Sequence, residues 1–169
     1  MTADISTAMV KDLRERTGLG VMDCKRALEE ADGNMEQAIE LLHQRGLAIA
    51  KKKASRQASQ GIIEAYLHAG GRIGAMVEVN CETDFVARTE DFKALAHELA
   101  MQVAAMGPQC VSPDDLPADS DLDPKEACLL LQPYIRDQGK TIDDLITETV
   151  AKVGENIRVS RFARFELGN

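Results

Sequence analysis

Between Ile73 and Cys81 the residues sort by parity: Ile73, Ala75, Val77, Val79 and Cys81 fall on one side, and Gly74, Met76, Glu78 and Asn80 on the other. Side chains of a strand point alternately to opposite faces, so this spacing predicts a strand with one buried face. A second strand-like run, Gly61 to Leu67, precedes it across Ala69-Gly70-Gly71, which reads as a β-hairpin. An isolated hairpin is not stable in water, so the rest of the chain must supply both a partner strand and a cover. The C-terminal segment offers the strand: Ile157, Val159, Ala163, Phe165 and Leu167 alternate with Arg158, Ser160, Phe162, Arg164 and Glu166, and Arg161 interrupts the apolar face. A long helix carrying Phe92, Leu95, Ala96, Leu99 and Val103 on one side, and ending before Gly107-Pro108, offers the cover. The expected class is α+β, with an antiparallel sheet of at least three strands covered by helices on one face. The other face is left for another subunit or partner.

The first 46 residues have a different period. Ser6 is a helix N-cap ahead of Met9 and Leu13, with a stop at Thr17-Gly18; Cys24, Ala27, Leu28 and Ala31 form the stripe of a second helix ending at Asp32-Gly33. Asn34 and Gln37 open a third, with Met35, Ala38, Ile39 and Leu42 on its apolar face and Gly46 as its close. These helices are too short to stand alone and predict a bundle over 1–46. Residues 47–60, alanine-rich among lysines, read as a linker, and 61–169 as the α+β core and dimerisation domain. Within the core, Ser112 to Pro124 is expected to be an exposed acidic loop, followed by helices over about Lys125 to Tyr134 and Thr141 to Lys152. The Asp119, Asp121, Asp123 spacing imitates a calcium loop only briefly, since Pro124 replaces the turn glycine and Leu130 the bidentate glutamate.

Composition narrows the chemistry. At 169 residues and 44% apolar content the chain can bury a core, and no apolar run reaches the roughly 18 residues of a bilayer span. With no secretory leader pattern at Met1 to Val10, a cytoplasmic protein without membrane attachment is expected. Cys24, Cys81, Cys110 and Cys128 are dispersed without a CxxC pair, and His43, His68 and His97 stand apart, so neither a metal site nor a cofactor is expected. No nucleophile, base and orienting group are recognisable, which points away from an enzyme. A thiol enzyme built on Cys24 or Cys81 is the weakest reading. The net charge of −8 arises wholly beyond residue 60, where ten Lys/Arg against nineteen Asp/Glu would repel phosphate backbones, so no direct nucleic-acid contact is expected. Lys51, Lys52, Lys53 and Arg56 form the one basic cluster, read as a solvated linker face.

The residues that follow the hairpin carry the sharpest hint of function. Thr83, Asp84, Phe85 and Val86 put one of six aromatic rings beside a carboxylate where the chain leaves a sheet. Two readings stand: Phe85 and Asp84 project as a wedge for a partner, or Thr83 or Asp84 caps a helix and Phe85 folds under it as core.

Three segments, Leu13 to Leu28 (LRERTGLGVMDCKRAL), Val79 to Arg88 (VNCETDFVAR) and Gly154 to Phe165 (GENIRVSRFARF), together resemble the translation elongation factor Ts family. The resemblance implies a guanine-nucleotide exchange factor that binds elongation factor Tu and promotes GDP release without covalent chemistry. It implies that the N-terminal bundle resembles a ubiquitin-associated (UBA) fold and docks on the G domain of Tu through Arg14, Val21 and Met22. It implies that Thr83, Asp84, Phe85 and Val86 disturb the magnesium and phosphate site of Tu. The single hairpin unit is similar to short members that pair two chains, which implies a homodimer engaging two Tu molecules and held by packing, since no cysteine lies in the C-terminal strand. The alternative is a ubiquitin-like or nascent-chain binding module resting on the bundle alone.

Overall fold

The computed structural model describes residues 5–168; residues 1–4 and 169, the ends of the two expected domains, lie outside them. Ser6 accepts a hydrogen bond from the Met9 N–H and starts α1 (Thr7–Thr17), which stops where Gly18 turns left-handed at φ 67°. Helix α2 (Val21–Glu30) ends through two left-handed residues, Asp32 and Gly33, that reverse the chain into α3 (Met35–Lys53), capped by Asn34 accepting from the Gln37 N–H. Val10, Leu13, Cys24, Ala27, Leu28, Ala31, Ala38 and Leu42 close on one another as the core of this UBA-like bundle.

The second core belongs to the sheet. Strands β1 (Gln60–Leu67) and β2 (Ile73–Cys81) form the hairpin, followed by the single turn α4 (Asp84–Ala87) and the long α5 (Glu90–Met106). After a 3₁₀ turn at Pro113–Asp115 come α6 (Pro124–Ala127), another 3₁₀ turn at Leu129–Leu131, the short pair β3 (Pro133–Tyr134) and β4 (Asp137–Thr141), then α7 (Ile142–Val153) and β5 (Ile157–Glu166). The sheet is antiparallel in the order β1-β2-β5. Phe92, Leu95, Ala96, Leu99 and Val103 of α5 are buried against its inner face, and Ala75, Val77 and Val79 share one core cluster with Ile146 and Val150 of α7. Gly61 lets β1 approach β2: at its φ of 145° a Cβ would lie 2.0 Å from the Val79 carbonyl oxygen, a backbone atom that cannot yield.

Three expectations about elements are corrected. Gly46 does not close the third helix, which continues to Lys53; it is buried and faces Thr147 and Ala151 of α7, where a Cβ would come to 3.4 Å from that of Ala151. Its role is close helix approach, and the chain beyond it is tied down: Lys53 Nζ donates to the Gly154 carbonyl, and the Asn156 amide donates to the Ala54 and Arg56 carbonyls at 3.4 and 2.8 Å.

The helix expected over Lys125 to Tyr134 is a single turn, because Cys128 and Gln132 are both extended and Pro133 disfavours a helical residue before it. The buried Gln102 side chain satisfies this irregular backbone, donating to Pro133 O at 3.1 Å and accepting from the Ile135 N–H at 3.0 Å.

In β5 the expected alternation holds only to Val159. Val79 pairs with Val159 but Glu78 pairs with Arg161, so Ser160 is an extra residue, and a β-bulge inverts the faces beyond it. Phe162 packs against the core, whereas Phe165 and Leu167, expected inside, are 71% and 64% exposed.

Candidate functional site

The site is a corner at the end of β2. Thr83 caps α4, accepting from the Val86 N–H at 3.4 Å, and Thr89 caps α5, accepting from the Phe92 N–H at 3.3 Å while its hydroxyl donates to Val86 O at 2.8 Å. Two caps six residues apart leave the intervening turn little freedom, and its side chains are sorted accordingly. Val86 and Ala87 are buried under the turn, and Phe85 points out, 78% exposed. The reading of Phe85 as a core residue is therefore wrong, although Thr83 does cap the helix as that reading required. Asp84 is half-buried and pairs with Arg88 at 2.7 Å across solvent, a contact worth little to stability.

A reciprocal clasp holds this corner to the start of β5. The Glu155 carboxylate accepts from the Glu82 N–H (3.1 Å), the Thr83 N–H (3.0 Å) and the Thr83 hydroxyl (2.7 Å). In return the Glu82 carboxylate accepts from the Asn156 N–H at 2.7 Å and from Arg56 at 3.4 Å. The Asn156 N–H, with help from Arg56, holds the Glu82 carboxyl below its ordinary value against the opposing effect of burial. Cys81, which donates to Thr83 O at 3.1 Å, is pushed up to about 11 by burial and then by the Glu155 charge, and with Cys24 it is sealed in the interior, an unsuitable place for a nucleophile. Replacing Glu155 with alanine leaves the Glu82 and Thr83 N–H groups without their acceptor, and is expected to destabilise the protein by about 1–3 kcal/mol. Thermal unfolding checks this; a loss below about 0.5 kcal/mol, ordinary for a surface substitution, would show that the clasp does not hold the corner.

Glu82, Glu155 and Asn156 were not singled out from the sequence. Both motifs that contain them were in view, but nothing in a linear string indicates that residues over seventy positions apart grasp each other's backbone.

The bundle residues lie elsewhere. Arg14 is exposed on α1, and Val21 (51% exposed) and Met22 (61%) form an apolar pair where α2 begins. Helices α1 and α2 pack on each other and on α3, whereas α4 packs on β1, β2 and α5, so the two sets of residues occupy different parts of the molecule. The outer face of the sheet is a third surface: Ile63, Leu67, Met76 and Phe165 are exposed there, and the last three line a shallow depression with Gly74 and Leu167. Among the described residues, no group of three or more His, Cys, Asp or Glu could hold a metal ion, and no helix is long and apolar enough to cross a membrane.

A family model described as "Elongation factor TS" matches residues 25–123. Proteins named elongation factor Ts from Carboxydothermus hydrogenoformans and Heliobacterium modesticaldum are each 50% identical to this chain over 97% of its length, covering 89% and 90% of their own. The protein of that name from Thermoanaerobacter pseudethanolicus is also 50% identical, with 97% and 95% covered. Agreement at that level over almost the whole of both chains means that the bundle, the sheet and the corner were inherited together: the chain belongs to the elongation factor Ts family.

Proposed function

We propose that this translation elongation factor acts as a guanine-nucleotide exchange factor on elongation factor Tu, with Phe85 and Asp84 as the group that disturbs the partner's magnesium and phosphate site. The observation that carries the reading is the 78% exposure of a large ring on a turn fixed between two helix caps. Exposing such a ring costs solvation free energy that burial in a partner recovers, and a rigid mounting avoids an ordering cost at that moment. Thr83 and Val86 then act as supports, one capping and one buried, while Asp84 brings negative charge towards groups that must stay fixed around a phosphate. A bound nucleotide depends on several charge-assisted hydrogen bonds made at once, so a small displacement of the element that supplies them weakens many together. By linkage the nucleotide weakens the exchange factor's binding by the same factor, so exchange runs in either direction and the nucleotide pool sets the outcome.

In this reading the bundle, 1–46, docks on the G domain through Arg14, Val21 and Met22, and the core, 61–169, carries the wedge and pairs with a second copy. The outer sheet face suits that pairing. Ile63, Leu67, Met76 and Phe165 line it with no covering helix among the described residues, and large exposed apolar patches mark interfaces. A twofold pair would present two wedges and engage two Tu molecules. Work on Tu takes place in the cytoplasm and needs neither a membrane nor a direct contact of this chain with RNA.

The test is release of labelled GDP from Tu. The full chain is expected to accelerate it at substoichiometric concentration in the presence of excess GTP. An unchanged release rate, together with binding of ubiquitin by the chain, would transfer the function to the bundle and sink the exchange reading.

A further inference from the structure

Cys110 and Cys128 are separated by 18 positions, yet their sulfurs are 3.2 Å apart. The backbone places them there: the two residues form a parallel β-bridge, with the Cys110 N–H on Ala127 O at 3.2 Å and the Leu129 N–H on Cys110 O at 2.9 Å. Adjacent strands run about 4.8 Å apart, inside the 4.4–6.8 Å range of Cα separations that a disulfide spans. Both side chains lie on the same side of the bridge, so about one ångström of closure separates the thiols from bonding distance. Cys110 is half-buried and Cys128 is fully buried.

We propose that Cys110 and Cys128 are a reversible disulfide site that, when oxidised by a small aliphatic disulfide, clips the acidic loop 111–127 to the core. Exposure fixes the order of events. The Cys110 thiolate attacks one sulfur of the reagent, whose S–S bond breaks and releases one thiolate; the resulting mixed disulfide sits on Cys110. Cys128 is out of reach of solvent, and the sulfur beside it is that of Cys110. Its thiolate attacks there, the protein S–S bond forms, and the second reagent thiolate leaves. Two thiols are oxidised, one small disulfide is reduced to two thiols, and the two protons pass from the protein to the departing sulfurs. Cys24 in the bundle and Cys81 in the sheet core are each buried in a separate cluster and serve as internal controls.

The loop explains why such a clip would act. From Ser112 to Glu126 all but a few side chains are exposed and none is buried, so little apolar contact fixes the segment apart from the bridge at its ends. Closing a loop of this length covalently removes freedom from the unfolded chain and is expected to raise the folding equilibrium roughly a hundredfold. Burial, and then the hydrogen bond shared with Cys128, push the Cys110 thiol up to about 12, so the clip forms slowly at neutral pH. Its rate should rise about tenfold per pH unit between pH 7 and 9 as the thiolate fraction grows.

The experiment incubates the full chain with oxidised and reduced glutathione at pH 8, quenches with acid, alkylates and maps the peptides without reduction. The expected result is one linked peptide pair containing Cys110 and Cys128, two remaining free thiols, and a melting temperature that falls on adding reductant. Cys110→Ser is expected to melt like the reduced wild-type chain and to be insensitive to reductant. Glutathione persisting on Cys110, chains linked to one another, or four free thiols after prolonged incubation at pH 9 would each overturn the proposal.

Discussion

Phe85→Ala is expected to cut stimulation of GDP release by about one to two decades while leaving the melting temperature of the protein almost unchanged. The magnitude follows from the ring: burying one such side chain in a partner contributes roughly 1.5–3 kcal/mol, which is about 10- to 150-fold in an equilibrium constant. The insensitivity of the fold follows from exposure, since a ring that is 78% exposed has little of its own core to lose. The pair of measurements is informative because the alternatives separate. A buried phenylalanine such as Phe92 would cost about 3–5 kcal/mol of stability on truncation, and a drop of that size at Phe85 would mean that the ring packs inside. Unchanged exchange with unchanged melting would move the wedge to another residue.

The second large effect belongs to the outer face of the sheet. Phe165→Asp is expected to raise the dissociation constant of the proposed homodimer by about two to four decades, converting it to monomer at micromolar concentration. A twofold interface contains every residue twice, so the roughly 1.5–3 kcal/mol of one ring is lost twice over, and each substitution also places a carboxylate where apolar surface should meet. Sedimentation velocity reads the mass, and far-ultraviolet circular dichroism establishes that the monomer keeps its fold. Melting temperature is the wrong readout here, because separating the chains lowers it by mass action alone. A wild-type chain that sediments as a monomer at 50-fold dilution and at ~100 μM alike would end the dimer proposal, ~100 μM being well above the dissociation constant of any interface of standard size.

The N-terminal bundle was legible because its signals are local. Ser6 and Asn34 make the capping bonds that their positions predict, and the apolar stripes at Cys24, Ala27 and Leu28 and at Ala38 and Leu42 are the buried ones. The hairpin and α5 were legible for the same reason, with parity and helical period agreeing with burial from Ala75 to Val103. What escaped depends on partners distant in sequence. Ser160 is a bulge only because β2 offers one residue against two of β5, and neither strand alone reveals that. Gly46 looked like a stop until Ala151, a hundred residues on, supplied the neighbour that needs its bare Cα. The helix expected over Lys125 to Tyr134 is cut to a 3₁₀ turn at Leu129–Leu131 by the extended residues Cys128 and Gln132 on either side of it, and Gln102 holds the backbone just beyond, at Pro133 and Ile135. At the corner, the ring and its capping threonine were visible in the string, but which way Phe85 turned was undecided there; the burial of Val86 and Ala87 settles it.

A lever delivers force only as well as its mounting resists recoil. Pushing on Phe85 loads a turn that Glu155 bolts to the root of β5 and that Glu82 bolts in the opposite sense to Asn156, so the load passes into two neighbouring strands at once. Because the central strand shares that load along its full ladder with β5, the tip cannot retreat without shearing the sheet. In the proposed exchange role, such a part would spend its binding energy on deforming the partner and would keep its own shape through each cycle of contact and release.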